Sequence, residues 1–515
     1  MSESETQEVV SRHETDDRLL KGLRGATFCV DLTAQGAIFY AEPNDVRAVL
    51  NCIQQQHHLT TDTLFGGGIS SYYNPRFPPQ GFDQETHSFE PLVHLLNTII
   101  CVAKETLRQP AEAASCKAPP QCYLRSLRFH SHDIEVIGQY VDPFKPHGIG
   151  ILGEPPAGGK IFWEDVEVIV EVNGQTDVLV QQAATRARFS LLHNRRRFFA
   201  ISIGFNYRTI DVYFFVFHRS GLSSSRPLSL KTQQGFQDIA THIIGVMSIR
   251  DEAEYCLDVT RSQNTFCLNK RYYDVARVLH IRDELCGSST AIYSLNGMDS
   301  CGFCMPVRLT PHAAHTSLSS PALSLQSQEL ALSNGINSLP DQVTYKVSYP
   351  VEGRTQEGPL FSKFVGQFGI ADVVGYHICG PDEPHGSTRR LFRGAEFWGV
   401  LGGDGREPEE RSQNCIAQSS GGRDLLDLRD KREGIPSPCE LLETLLHAII
   451  GESYFLCVQL STHTSTHHLG HCGLFFGGVL HRDISSGNII RNPQPVNRPA
   501  LQMFTLHLFL LLKVC

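Results

Sequence analysis

The segment VLHRDISSGNII at residues 479–490 places an acid and an amide at a spacing suited to chemistry on a phosphate group. Asp483 directly follows His481 and Arg482, and Asn488 lies five positions after the aspartate. A carboxylate in this place could accept the proton of an attacking hydroxyl, while an amide oxygen a short loop away could hold a magnesium ion against the phosphates. The spacing therefore predicts a site for phosphoryl transfer.

These residues match the H-R-D-x-x-x-x-N catalytic loop of protein kinases. The loop carries Ser485 where most protein kinases have lysine, and in this it resembles the fungal-type protein kinase family. The segment VTYKVSYPVEGRTQE at 343–357 resembles that family's third-strand lysine followed by an R-x-x-E, and residues 364–383 resemble its next hairpin. The resemblance extends over residues 150–491.

The resemblance implies an α+β chain with a protein kinase-like two-lobe fold, preceded by an α/β pre-kinase region. It also implies an ATP-dependent protein serine/threonine kinase that uses Mg²⁺ and acts on a protein substrate. In that role Asp483 would be the catalytic base and Asn488 a magnesium ligand, while His481 and Arg482 would brace the loop.

The resemblance also assigns the nucleotide-binding side chains of the first lobe. Lys346 would contact the α- and β-phosphates of ATP, and Glu357 would hold that lysine in place. The loop that covers the phosphates would lie at residues 285–292, LCGSSTAI, where Gly287 is the one glycine that remains of those expected. A loop with a single glycine is expected to hold phosphate less well.

One departure from the kinase pattern favours an alternative function. A kinase holds magnesium with a second acid, the aspartate of a D-F-G motif shortly after the catalytic loop. No Asp or Glu follows Asp483 in this sequence, so the second lobe is expected to be incomplete. The alternative is a kinase-like binding or scaffold protein that transfers no phosphate. We also hypothesise that the histidine-rich segment 452–470, which interrupts the approach to the catalytic loop, is foreign to the domain.

Several elements are expected to position these residues. Alternating apolar residues over 160–172 predict a strand, and residues 179–192 have the composition of a helix. Two β-rich runs, 196–205 and 209–218, predict a hairpin. Helical spacing of apolar residues at 236–247 predicts another helix, and SPCELLETLLHAII at 437–450 carries a capping box.

Composition shifts then divide the chain into successive regions. Those regions are a disordered lead at 1–20, a helical region at 21–107, a linker at 108–120, an α/β pre-kinase region at 121–250, a kinase N-lobe at 251–400 with an inserted loop at 294–340, a partial C-lobe at 401–491 with a glycine-rich loop at 401–422, and a non-homologous tail at 492–515.

Composition excludes some classes of function. The chain has 41% hydrophobic and 19% charged residues, as in ordinary globular proteins, and its net charge of −9 gives no basic field for nucleic acid or an anionic membrane. The basic run at 195–197 is expected to be a solvated patch. The acidic start lacks the pattern of a secretory signal, so an intracellular protein with 16 reduced cysteines is expected. The apolar tail at 501–515 is too short to span a bilayer.

Three other patterns could carry chemistry but lack part of what that chemistry needs. Residues 148–153 match G-x-G-x-x-G without a preceding strand or following helix, which favours a turn-rich loop over a dinucleotide site. The Cys/His group at 301–315 lacks the spacing of a zinc finger. The group at 463–472 has the i,i+4 histidines of a zinc helix but no glutamate beside the first of them to act as a general base. A nuclease-like carboxylate set, Asp142 with the strand before Asn173, lacks the lysine that such a site needs.

Overall fold

A computed structural model of the chain has an α+β fold. The residues that the structure describes are 19–56, 84–107, 124–131, 136–137, 146–154, 161–193, 197–249, 265–269, 271–281, 284–298, 330–332, 339–354, 356–362, 373–379, 387–419, 423–424 and 490–491. The predicted linker and the predicted helix at 437–450 lie outside these residues.

The first half of the described chain contains four helices distributed among ten strands, whereas strands predominate in the second half. The helices are α1 (Pro43–Gln56), α2 (Gln84–Leu107), α3 (Thr176–His193), α4 (Gln233–Ser248) and α5 (Glu357–Phe361). The strands of the first half are β1 (Thr27–Cys29), β2 (Leu127–Ser131), β3 (Val136–Ile137), β4 (Gly148–Leu152), β5 (Ile161–Phe162), β6 (Val166–Asn173), β7 (Phe199–Asn206), β8 (Asp211–His218), β9 (Gly221–Ser224) and β10 (Leu228–Ser229). Those of the second half are β11 (Thr265–Leu268), β12 (Arg271–Ile281), β13 (Ala291–Gly297), β14 (Ala331–Leu332), β15 (Gln342–Ser348), β16 (Val373–Ile378), β17 (Glu396–Phe397), β18 (Asn414–Ser419), β19 (Arg423–Asp424) and β20 (Ile490–Arg491).

The first sheet has the strand order β17-β1-β9-β8-β7-β6-β4-β2, with β10 beside β8. Helices α1, α2 and α4 pack on one face, where they bury alternate residues such as Val170 and Phe214. Helix α3 covers the other face and buries Ile169 and Phe215. Because successive side chains of a strand point to opposite faces, strands covered on both sides are apolar throughout. This explains why every residue of β7 is buried.

The predicted helices at 179–192 and 236–247 are confirmed as α3 and α4, and the predicted hairpin is confirmed as β7 and β8. Asn206 stabilises the hairpin turn, because its side-chain oxygen accepts hydrogen bonds from the N–H groups of Arg208 and Thr209 at 3.0 and 3.3 Å. The region expected to be helical at 21–107 contains helices α1 and α2 among its described residues. It also contains β1, which pairs in parallel with β9.

The turn-rich loop expected at residues 148–153 is instead strand β4, which pairs with β2 and β6. Its isoleucines at 149 and 151 are buried on one face. On the other face the glycines make room for aromatic rings, since a Cβ on Gly148 would lie 2.4 Å from the ring of Phe89 and one on Gly150 2.9 Å from that of Phe129. These glycines therefore serve close packing and not a turn.

The basic run at 195–197 is not the solvated patch that was expected, as far as the structure describes it. Arg197 is 2% exposed, and its guanidinium donates to the carboxylate of Glu167 at 2.8 Å and to the hydroxyl of Ser190 at 2.9 Å. The other oxygen of Glu167 accepts from Arg125 at 2.7 Å. A buried charge requires such partners, so the run contributes a structural arginine.

The second sheet is antiparallel, in the order β11-β12-β13-β15-β18-β16-β14. Strand β18 lies between β15 and β16, although its residues fall in the glycine-rich loop expected at 401–422 and beyond the boundary predicted at residue 400. Strand β14 likewise falls inside the loop expected at 294–340. Cys415 and Ala417 of β18 enter the hydrophobic core, whereas Ile416 between them is buried on the opposite face of the strand.

The chain between β16 and β18 joins the two sheets. This segment contains β17, which pairs with β1 at the edge of the first sheet. The next residue, Trp398, stacks against Tyr213 with ring centroids 5.9 Å apart, and its N–H donates to the carbonyl of Thr27 at 2.8 Å. The two sheets are therefore connected by hydrogen bonds as well as by a shared hydrophobic core.

Two buried histidines predict loss of stability in acid. Burial lowers the pKa of His218 to about 3 and that of His242 to about 4, whereas an unfolded histidine titrates near 6.5. Between these values the unfolded chain binds more protons than the folded one. The free energy of unfolding should therefore fall by about 1.4 kcal/mol per pH unit for each histidine as the pH drops from 6.5 toward 4. Urea unfolding at pH 7, 6 and 5 measures this slope.

The variant His218→Gln serves as the control for this acid sensitivity. In the folded protein His218 accepts at Nδ1 from the N–H of Ser220 at 3.2 Å, a role that an amide oxygen can take over. In the variant, the free energy of unfolding should fall with decreasing pH about half as steeply as the two histidines together make it fall in the parent. A variant with the full slope of the parent would contradict the assignment to His218.

Candidate functional site

Lys346 lies near the middle of the second sheet. On β15 it is opposite Ile292 of β13 and Ile416 of β18. Its neighbours Tyr345 and Val347 enter the hydrophobic core, so the lysine points to the other face of the sheet. The side chain is 24% exposed. A partly buried cation on a rigid strand is suited to bind an anion.

Glu357 is the first residue of α5, and its carboxylate meets this lysine. The Nζ of Lys346 donates to Oε2 of Glu357 at 2.6 Å. Between them the chain reverses at Gly353, whose φ of +81° lies in the left-handed region. Gly358 allows the helix to approach β16, because a Cβ there would lie 2.5 Å from the side chain of Tyr376. The turn and the two glycines thus place Glu357 over the lysine.

The ion pair between Lys346 and Glu357 contributes little to the stability of the fold. Glu357 is 43% exposed, and pairs with that much solvent contribute about 0–1 kcal/mol. The predicted contact between the two side chains is nevertheless present. The role that the resemblance assigns to each of them stays a prediction.

The face around Lys346 carries a buried polar group that sequence reasoning missed. Asn414 lies opposite Ser348 on β18 and shares the lysine's face, because its neighbour Cys415 enters the core. The residue is 1% exposed, and its Oδ1 has no hydrogen-bond partner among the described residues. A buried oxygen without a partner is costly, so this acceptor calls for a donor such as a water molecule, an ion or a ligand. The sequence could have indicated this buried group only through the presence of an asparagine in a segment that forms a strand.

The predicted phosphate-covering loop joins β12 to β13. Gly287 has a φ of +111°, which only glycine adopts without strain. Its N–H donates to the main-chain oxygen of Arg219 at 2.8 Å, so this donor is already occupied. Cys286 beside it is buried, and burial raises the pKa of its thiol well above the usual value. The loop therefore contacts the first half of the chain.

The residues of the predicted catalytic loop lie outside the described residues. They are His481, Arg482, Asp483 and Asn488. Asp142 and the Cys/His groups at 301–315 and 463–472 also lie outside them. Where the structure describes the chain, no group of three or more His, Cys, Asp or Glu side chains is arranged to hold a metal ion. None of the helices described is long and apolar enough to cross a membrane.

The strand considered for a nuclease-like site carries Glu171 in ion pairs. Oε2 of Glu171 lies 2.6 Å from Nδ1 of His147, and Oε1 lies 3.5 Å from Nε of Arg186. Asn173 donates to Gln182 at 3.5 Å. The carboxylate is fully buried and held by basic side chains, which is the arrangement of a structural ion pair.

Comparison of the chain with protein-family models, curated proteins and solved structures finds no match. A function for the chain must therefore be inferred from its own side chains. Of the described residues, the pair Lys346 and Glu357 together with the oxygen of Asn414 is the strongest candidate for a binding site.

Proposed function

We propose that the chain is a protein kinase-like protein that binds MgATP on the lysine-bearing face of the second sheet and transfers the γ-phosphoryl group to serine or threonine hydroxyls of a protein substrate. The ion pair between Lys346 and Glu357 carries this proposal. In protein kinases a lysine on the third strand of the first lobe binds the α- and β-phosphates, and a glutamate on the following helix pairs with it.

The order of the elements supports the proposal independently of the catalytic-loop motif. Strands β12 and β13 form a hairpin, β15 pairs next to it and carries the lysine, and α5 follows with the glutamate. The lysine ends the sequence V-T-Y-K at 343–346, which differs from the kinase V-A-I-K at two positions. A hairpin loop, a lysine and a glutamate thus occur in the order that nucleotide binding by a kinase requires.

In this proposal the second sheet binds the nucleotide, and the predicted catalytic loop carries out phosphoryl transfer. Lys346 would neutralise phosphate charge, and Glu357 would keep the ammonium group in place. Asp483 would accept the proton of the substrate hydroxyl, and Asn488 would be a magnesium ligand. Bound Mg²⁺ would neutralise the charge that develops on the phosphate oxygens.

A second candidate is a kinase-like scaffold that binds without phosphoryl transfer. Two observations favour it. The predicted phosphate-covering loop has one glycine, Gly287, and the N–H of that glycine is bonded to Arg219. Residues 489–515, which include the position where a kinase has its D-F-G aspartate, contain no Asp or Glu to serve as the second magnesium ligand.

Replacing Glu357 by glutamine should weaken MgATP binding about 5- to 10-fold, because the lysine loses the charge-assisted hydrogen bond that orients it. Isothermal titration of MgATP into the full chain measures this. The matched control is Asp341→Asn, which breaks the ion pair of Arg271 on the same sheet. We expect this control to leave the MgATP affinity within about two-fold of the parent, because its ion pair is exposed.

Equal losses of affinity in both variants would contradict a specific role for Glu357. A phosphorylation assay on a generic Ser/Thr substrate then separates the two candidate functions. Transfer that disappears in Asp483→Asn supports a kinase. MgATP binding without transfer, unchanged in Asp483→Asn, supports the scaffold.

A further inference from the structure

The loop between β12 and β13 lies toward the face of the second sheet that is opposite to Lys346. Its residues Glu284 and Ser289 line a cavity together with Arg219 and with Val347. Val347 follows Lys346 on β15, so the two side chains point to opposite faces. A loop that covers the phosphates of a nucleotide at Lys346 would have to extend over the lysine's face instead.

Arg219, at the turn between β8 and β9, holds this loop from the first half of the chain. It is 8% exposed, and its Nη1 donates to the carbonyls of Glu284 and Leu285 at 3.0 and 3.3 Å. Its own carbonyl accepts from the N–H of Gly287 at 2.8 Å. One residue thus satisfies three main-chain groups of the loop, and two of its bonds are charge-assisted.

Two further contacts fix the loop in the same place. Leu285 is 2% exposed and belongs to the hydrophobic cluster beneath α3. The N–H of Tyr349, one residue beyond the end of β15, donates to the carbonyl of Ser288 at 2.8 Å. The guanidinium of Arg219 also lies over the ring of Tyr349, 5.4 Å from its centroid. The contacts therefore join the loop, the first sheet and the lysine-bearing strand.

We propose that Arg219 and Leu285 hold residues 284–289 in a latched position away from Lys346, so that MgATP binds tightly only when the first half of the chain releases this loop. This latch rests on the proposed function, because it concerns the same nucleotide site. The apparent affinity of a site that is open for only a fraction of the time is reduced by that fraction. Release of the latch should therefore increase affinity.

Arg219→Met removes the two guanidinium bonds and keeps a side chain of similar length. Leu285→Ala loosens the loop through a different contact. In both variants we expect MgATP to bind about 3- to 10-fold more tightly, in line with a loop that is open in a minority of molecules. Hydrogen exchange at 284–289, without nucleotide, should be slow in the parent and at least about ten-fold faster in each variant.

Arg197→Met is the matched control, because Arg197 is also buried and its guanidinium bonds Ser190 of α3 and Glu167 of β6. It should lower the melting temperature without changing MgATP affinity. Affinity that is unchanged or weaker in both Arg219→Met and Leu285→Ala would overturn the latch, as would fast exchange of the loop in the parent. If the parent and Lys346→Met bind MgATP equally, the proposed function fails, and the latch fails with it.

Discussion

Replacing Lys346 by methionine is expected to lower the affinity for MgATP about 10- to 100-fold, because the phosphates lose a charge-assisted hydrogen bond of about 1.5–3 kcal/mol. Methionine fills similar space, so the apolar stem of the side chain is kept. The lysine's ion pair with Glu357 is partly exposed, and the free energy of unfolding should change by less than about 1 kcal/mol. Isothermal titration with MgATP and urea unfolding measure the two quantities.

A large loss of affinity with little loss of stability would assign the lysine to binding. The exposed Lys231, near α4 in the first half of the chain, provides a control. Lys231→Met removes the same charge and should leave affinity unchanged. Lys346→Arg tests the geometry, since a planar guanidinium fork does not reproduce the contacts of a compact ammonium group. Equal affinity in the parent and in Lys346→Met would exclude the lysine from the phosphate site.

The contact between Lys346 and Glu357 was expected from the resemblance to the kinase family, and the structure shows that this contact is local. Lys346 and Glu357 lie 11 residues apart, and a strand, a turn at Gly353 and a short helix suffice to bring them together. The hairpin of β7 and β8 was predicted from the residue pattern alone, since adjacent apolar strands with a polar turn pair directly. Both contacts join segments that are close in sequence.

Contacts between distant segments could not be predicted. The glycines of β4 indicated a turn, but their actual role depends on the rings of Phe89 and Phe129, which come from other elements. Strand β17 joins the first sheet although it is almost 370 residues away from its partner β1. The contact of Arg219 with the loop at 284–289 likewise links two sheets. Nothing in the local sequence specifies such partners.

The same limit applies to Glu167, whose charge alternates with apolar residues in the manner of a solvent-facing strand position. The structure instead places it between two arginines that are distant in sequence, Arg125 and Arg197. Burial opposes ionisation of this carboxyl, but the two arginines outweigh that effect and hold its pKa below the usual value. The ionised carboxylate is therefore part of the folded structure.

Glu167→Gln should lower the free energy of unfolding by about 3–5 kcal/mol at pH 7, because it removes the carboxylate charge that binds two buried arginines at once. Urea unfolding measures the loss. Glu154→Gln is the matched control, since the pair of Glu154 with Arg128 is exposed on both sides and its removal should cost less than about 1 kcal/mol. Similar losses in the two variants would show that Glu167 contributes no more than a surface charge.

The difference in the free energy of unfolding between the parent and Glu167→Gln should depend on pH, which provides an independent test. Because the folded pKa of Glu167 is depressed, its contribution to stability is fully present above the pKa of an unfolded glutamate, about 4.3, and is lost as the pH falls through the lower folded value. The gap in stability between the parent and Glu167→Gln should therefore narrow below about pH 4. The two histidines affect parent and variant alike and cancel in this comparison. A gap that stays constant down to pH 3 would mean that the arginines are paired with something other than this carboxylate.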